Sequence, residues 1–422
     1  RIRYLVVFVA TLCAVLLYVD RICISFVIGD IGSDLSLDQK QTKWVLSAFF
    51  FSYALAQVPA GWIGDRYGAR GTMAVYILSW SLLTAALGLA QSLYALVLLR
   101  LGCGLAQAGA YPICASLVAR WMPLSARGLA SSVVSLGGRL GGAAAPTITG
   151  YLLPVVGSWR GVMLVYGLAG VPVAWLFVHW VRSVPRAHPR CNDAECELIG
   201  ERPTSSAATD ARGTVSWLTL ASDQSMWLMS LALLTTNFGW AFLVTWLPTY
   251  LEQVYDVPTK TRGIMSSLPL FVGMSGGVIG GWLTDRMTMR LGVRWGRALP
   301  LALSRFAAAA AFVACLVIDD PWLATIAFIV VSFATDLGIG ATWAFAQDVG
   351  GRSIGAVLGW SNMWGNLGAW LSPLLVESVL PSDGGDWSAA FAICALAFIV
   401  SGVASLGVRS DRPLARGDSA LH

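Results

Sequence analysis

The chain has 422 residues, 56% hydrophobic and only 12% charged, with a mean hydropathy of +0.68. Such a composition is too apolar for a soluble protein of this length and describes a polytopic membrane protein. The net charge of +5 carries no implication of nucleic-acid binding, because most of the basic residues sit in short loops between apolar runs, where they set topology.

A membrane-spanning helix needs ~20 predominantly apolar residues. Twelve stretches meet this requirement: 4–28, 41–65, 71–91, 93–119, 128–153, 159–182, 225–251, 263–284, 297–318, 321–347, 353–379 and 387–408. The first has no small-residue cleavage site and carries Asp20-Arg21, so it reads as a retained span and not a signal peptide. A start at Arg1 in place of Met leads us to expect trimming of a few N-terminal residues.

Residues 183–222, with Pro185, Pro189, Pro203 and a Ser/Ala/Thr stretch, form a polar linker between two sets of six spans. The predicted domains are thus 1–182, a linker at 183–222, and 223–422 with a short tail. The predicted fold is all-α, twelve transmembrane helices in two six-helix bundles. Gly61-Trp62-Ile63-Gly64-Asp65-Arg66 at the end of the second span returns as Gly281-Trp282-Leu283-Thr284-Asp285-Arg286 at the end of the eighth. Internal symmetry of this kind belongs to carriers built from two similar bundles around a central site.

With the N-terminus placed in the cytoplasm, nineteen basic residues fall on that side, and only Lys40, Lys43, Arg160, Lys260 and Arg262 on the other. The positive-inside rule therefore puts both termini and the linker in the cytoplasm of a multi-pass inner or plasma membrane protein.

Six of the eight cysteines lie in apolar runs, where a thiol behaves as a small hydrophobe, and Cys191 with Cys196 is weak evidence for a metal or disulfide. His179, His188 and His422 all fall at span ends or in tails. No metal-ligating cluster, nucleophile with a base, or phosphate loop stands out, so no catalytic residues, metal or organic cofactor are expected.

Charges inside the spans mark function, because hydrocarbon does not tolerate them without a wet or protein-lined interior. Asp20 and Arg21 are such a pair. At ~1.5 Å per residue, Arg21 lies ~25 Å from the cytoplasmic start of its span, Arg100 ~10 Å below the outer face, and Arg139 at ~16 Å. Three arginines against one carboxylate is not a stable buried arrangement unless an anion or a wet cavity compensates it. A carboxylate suits the guanidinium fork. Arg139 lies among glycines that also permit helix packing, so it serves a site or a contact.

The run Gly61 to Arg70 resembles the loop signature of the major facilitator superfamily, and Gly281 begins a partial copy. Within it, Tyr18 to Arg21, Arg100 to Pro112, Trp246-Leu247-Pro248-Thr249-Tyr250 and Asn366 to Pro373 resemble the anion:cation symporter family. The resemblance implies the major facilitator fold and a carrier of organic anions such as sugar acids, usually driven by protons. It also implies that Arg21 and Arg100 bind the anion, that Tyr53 and Asn362 line the pocket, and that Asp20 is a coupling carboxylate. Where the family usually has Glu, this chain has Gln107, which cannot titrate.

Gln107, seven residues past Arg100, shares its helix face and suits substrate hydroxyls. Asp336, Gly340, Trp343 and Gln347 form one helical stripe, with Trp343 to cover substrate and Asp336 either to titrate or to pair with Arg305. Asp20 is a proton site or a counter-ion to Arg21 or Arg100. Asn362 and Asn366 suit hydroxyl recognition or interhelical bonding. Asp65, Arg66, Arg70, Asp285 and Arg286 read as a gate. The expected function is symport of an organic carboxylate with a proton, by a monomer in the bilayer, with exchange or uniport of organic anions or phosphate esters as the alternative.

Overall fold

The computed structural model describes residues 2–199, 216–380 and 386–414. The middle of the predicted linker and the end of the tail lie outside the described residues. The amino-terminal half consists of α1 (Ile2–Phe26), α2 (Gln39–Tyr67), α3 (Ala69–Leu87), α4 (Leu93–Trp121), α5 (Arg127–Val156) and α6 (Trp159–Trp180). The carboxy-terminal half has α7 (Gln224–Thr245), α8 and α9 as the two limbs of Thr259–Ala314, α10 (Pro321–Val349), α11 (Ile354–Val379) and α12 (Ser388–Gly407). Every predicted span finds its helix. The seventh differs at its end, where a turn at Trp246 separates Thr245 from a short helix, Leu247–Tyr255.

Polar residues set the helix starts. Asp38, with Gln41 answering it, forms a capping box on α2, and the side chains of Ser92, Ser158, Asp223 and Asp320 accept first-turn amides of α4, α6, α7 and α10. Glycine is required at a matching turn in each half. Gly68 (φ 88°), between α2 and α3, and Gly292 (φ 79°), between α8 and α9, both take positive φ, the same device at equivalent places in the two halves.

By length and apolar content alone, eight stretches among the described residues qualify as membrane spans, one of them covering the α8–α9 pair. The helices α3, α5 and α11 fall outside that set. For α5 and α11 the reason is position: α5 packs on α1, α8 and α10, and α11 on α2, α4 and α7, so their glycines, serines and amides meet protein and not lipid.

The cores show how the halves meet. One buried cluster joins both halves, running from Val6 to Leu17, through Trp121 and Val134, to Phe345, Ile354 and Val408. Most of these lie toward the end that carries the Gly61 and Gly281 loops, with Leu17 reaching past the middle of α1. At the opposite end each half has a core of its own, one around Phe49, Leu96 and Trp159, the other an aromatic cluster of Phe242, Tyr250, Phe312, Phe328 and Phe391. The halves are therefore sealed together at one end and parted at the other.

Candidate functional site

Between the halves lies a chamber of about 620 Å³, lined by Tyr18, Arg21, Tyr53, Tyr111, Ser135 and Arg139 on one side and by Asn237, Trp240, Arg305, Asp336, Thr342, Trp343, Asn362 and Asn366 on the other. Its size suits a small molecule.

Arg21 is held in an aromatic cage. Its guanidinium carbon is 4.3 Å from the ring centre of Tyr53, 4.6 Å from that of Tyr18 and 5.0 Å from that of Phe49, while Nε donates to Gln107 Oε1 at 3.4 Å. Its Nη2, itself buried, has no hydrogen-bond partner among the described residues. A fixed guanidinium with an unpaired donor, on a residue that lines the chamber, is preorganised to meet an anion.

The structure corrects three readings around Arg21. Arg100 does not line the chamber: its guanidinium carbon lies 4.6 Å from the ring centre of Phe49, the same ring that Arg21 meets at 5.0 Å. Asp20 pairs with neither Arg21 nor Arg100. Both of its oxygens lack hydrogen-bond partners among the described residues, and the Trp80 indole of α3 faces it outside bonding geometry. Successive residues of a helix point ~100° apart, so α1 turns Arg21 into the chamber and Asp20 into its own bundle. Gln107 is 1% exposed and is occupied by Arg21, which makes it a residue that positions the guanidinium and not a contact for substrate.

On α10, Asp336 pairs with Arg139 of α5 across the two halves, and not with Arg305. Arg305 Nη1 instead donates to the Ala334 and Thr335 carbonyls at 3.0 and 2.9 Å, just before α10 is interrupted at Gly338. Carbonyls at a helix end need such a partner. Arg305→Met should therefore lower ligand-free stability by about 1–3 kcal/mol, seen as an earlier thermal transition of the purified protein. An unshifted transition would contradict this role.

Trp343 faces the chamber and meets Tyr111 edge-on across the halves, with ring centres 5.3 Å apart. Gln347, the last residue of the predicted stripe, leaves it: its Nε2 donates to the Ala115 carbonyl at 3.2 Å and to Ser131 Oγ at 3.0 Å. Gly340 packs on Gly281 and Gly128 of the sealed end. Asn362 and Asn366 both line the chamber, and Asn366 Nδ2 also donates to the Asn362 carbonyl at 2.9 Å. Tyr18 and Tyr111 were missed, although each stands at helical spacing, three residues before Arg21 and four after Gln107.

At the sealed end the two signature carboxylates cross between the halves. Asp65 accepts the amides of Gly355 (3.1 Å) and Ala356 (3.0 Å) at the start of α11, and Ser116 Oγ at 2.9 Å. Asp285 accepts those of Gly128 (2.8 Å) and Leu129 (2.9 Å) at the start of α5. Each carboxylate satisfies orphan donors and meets the positive end of a helix dipole in the opposite half.

Arg66, Arg70 and Arg286 do not take part in this crossing as predicted. Arg66 lies over Trp62, Arg286 over Trp282, and Arg70 Nε donates to the Val178 carbonyl of α6 at 2.8 Å, each within its own half. The cations that support the seal are Arg297, which pairs with Asp348 at 2.9 Å and Asp285 at 3.5 Å, and Arg127, 3.7 Å from Asp348. Loop position alone did not distinguish these roles.

The sequence matches the family profile of the Major Facilitator Superfamily over residues 10–373. It is 29% identical over 421 residues to the probable sulfoacetate transporter SauU of Cupriavidus necator, covering 99% of this chain and 95% of that protein. It is 28% identical over 408 residues to the probable galactarate/D-glucarate transporter GudP of Bacillus subtilis, covering 91% and 87%. Among solved structures, the fold is shared with the human organic anion transporter MFSD10 (TM-score 0.70, 16% identity, covering 96% and 99%) and with the proton:xylose symporter XylE (TM-score 0.70, 13% identity, covering 98% and 97%). These relatives bear out the resemblance to organic-anion carriers carried by the motifs of α1, α2 and α4. With two six-helix halves, a chamber between them and a profile match over most of its length, the chain is a multi-pass membrane transporter, not an enzyme, and belongs to the major facilitator superfamily.

Proposed function

We propose that the protein moves a small organic carboxylate across the membrane by alternating access, with both termini in the cytoplasm. The observation that carries this reading is the caged Arg21, which lines the chamber and whose buried Nη2 has no hydrogen-bond partner among the described residues. The names of the relatives, all carriers of organic acids, support it. In this reading Tyr53, Trp343, Asn362 and Asn366 contact the rest of the substrate. Arg100 and Gln107 act behind Arg21.

A proton is the proposed coupling ion. Asp20 is buried at 2% exposure without a hydrogen-bond partner, so a proton bound there removes an uncompensated buried charge. Gln107, standing where the family usually has Glu, favours the alternative of anion exchange or uniport. The test is uptake into sealed vesicles containing the purified protein, with sugar acids, dicarboxylates and phosphate esters as candidates.

Uptake that stops when the proton gradient is collapsed, and that Asp20→Asn uncouples, is the expected result. Uptake indifferent to that gradient but dependent on internal anion would replace symport by exchange. Absence of any organic-acid flux would refute the reading as a whole.

A further inference from the structure

The chamber holds two separate positive centres. Arg21 projects from α1, while Arg139 projects from α5 into the opposite half, its guanidinium carbon 5.1 Å from the Trp240 ring centre and its Nη2 on Asp336. Of that pair, Arg139 is the partner that water still reaches, with 24% side-chain exposure against 1% for Asp336. Together with Arg305, the chamber wall carries three guanidiniums and one carboxylate, an excess of two positive charges. A singly charged guest leaves part of that excess uncompensated in a poorly screened interior, whereas a doubly charged one cancels it.

Asp336 is also placed to give Arg139 up. One of its oxygens has no hydrogen-bond partner among the described residues, and Arg305 is the second cation that acts on it, so release from Arg139 does not leave it without a counter-charge.

We propose that Arg139 is a second anion subsite, masked by Asp336, and that the substrate is a small dianion whose two acidic groups rest on Arg21 and Arg139. The proposal depends on the carboxylate reading for its first group. Exchange of the Asp336 carboxylate for a substrate acid keeps the Arg139 guanidinium paired throughout. Such an exchange also breaks a tie between α5 and α10, so filling the subsite changes the hold of one half on the other. A ligand shifts a conformational balance only through differential contacts of this kind.

The experiment compares length-matched pairs of acids, an aldaric diacid and the corresponding aldonic monoacid, by thermal shift and tracer competition. It uses the wild type, Arg139→Gln, Asp336→Asn and the double variant. Wild type should prefer the diacid by about tenfold or more, because its second acid cancels positive charge that the monoacid leaves uncompensated. In Arg139→Gln the ratio should fall to about one, and in Asp336→Asn, where the subsite is unmasked, diacid affinity should rise.

The double variant guards against loss of fold. It should regain the ligand-free thermal transition of the wild type without regaining the preference. Restoration of both would mark the pair as a structural tie and overturn the proposal, as would equal binding of mono- and diacids by the wild type. A wild type that binds no organic acid at all would sink the carboxylate reading as well.

Discussion

Arg21→Ala should lower the affinity of the purified protein for the organic acid proposed as its substrate by about 10- to 150-fold, the equivalent of ~1.5–3 kcal/mol for a hydrogen-bonded contact to a charged group. The guanidinium is already immobilised by Tyr18, Phe49, Tyr53 and Gln107, so little ordering entropy remains to be lost when the anion arrives. Arg21→Lys keeps the charge but not the planar fork, and should fall between wild type and Ala. Titration of the stabilising acid by thermal shift, with tracer uptake alongside, measures both variants. Undiminished binding by the Ala variant would remove Arg21 from the site.

A second large effect is expected at the seal, from a substitution that touches no substrate. A Cβ on Gly61 would run into the Gly355 carbonyl, backbone against backbone, where α2 crosses α11 next to the Asp65 caps. Gly61→Val should therefore exclude the sealed arrangement and hold the halves apart at that end. Transport should be lost while the protein still inserts. A cysteine introduced at Ser116, under the Asp65 contact, should become reactive toward a membrane-impermeant thiol reagent supplied from the loop side. Wild-type uptake by Gly61→Val, with the Ser116→Cys thiol still protected, would show that this crossing is not part of the transport cycle.

The spans were legible because a bilayer imposes a length and a polarity on each helix, and the repeat of Gly61 to Arg66 at Gly281 to Arg286 exposed the two-half plan. Arg21 was legible for the same reason, as a charge where hydrocarbon forbids one. Direction around a helix was less so. Asp20 and Arg21 are adjacent in sequence but serve different bundle faces, and Gln107, assigned to substrate, is taken up by Arg21. The arginines of the signature loops were grouped with their carboxylates because loop position does not tell which side chain reaches the other half.

Amino-acid order alone thus carries the helix count, the division into halves, the excess of buried positive charge and the carboxylates at the loops, since each is a property of a single segment against its solvent. Only the tertiary structure decided that Arg139 meets Asp336, that Arg305 serves the interrupted α10, and that Arg297 and Asp348 brace the seal. Those pairings join residues up to 197 positions apart through the packing of α5, α9 and α10. Local periodicity records which face of a helix is polar; it does not record which helix that face will meet.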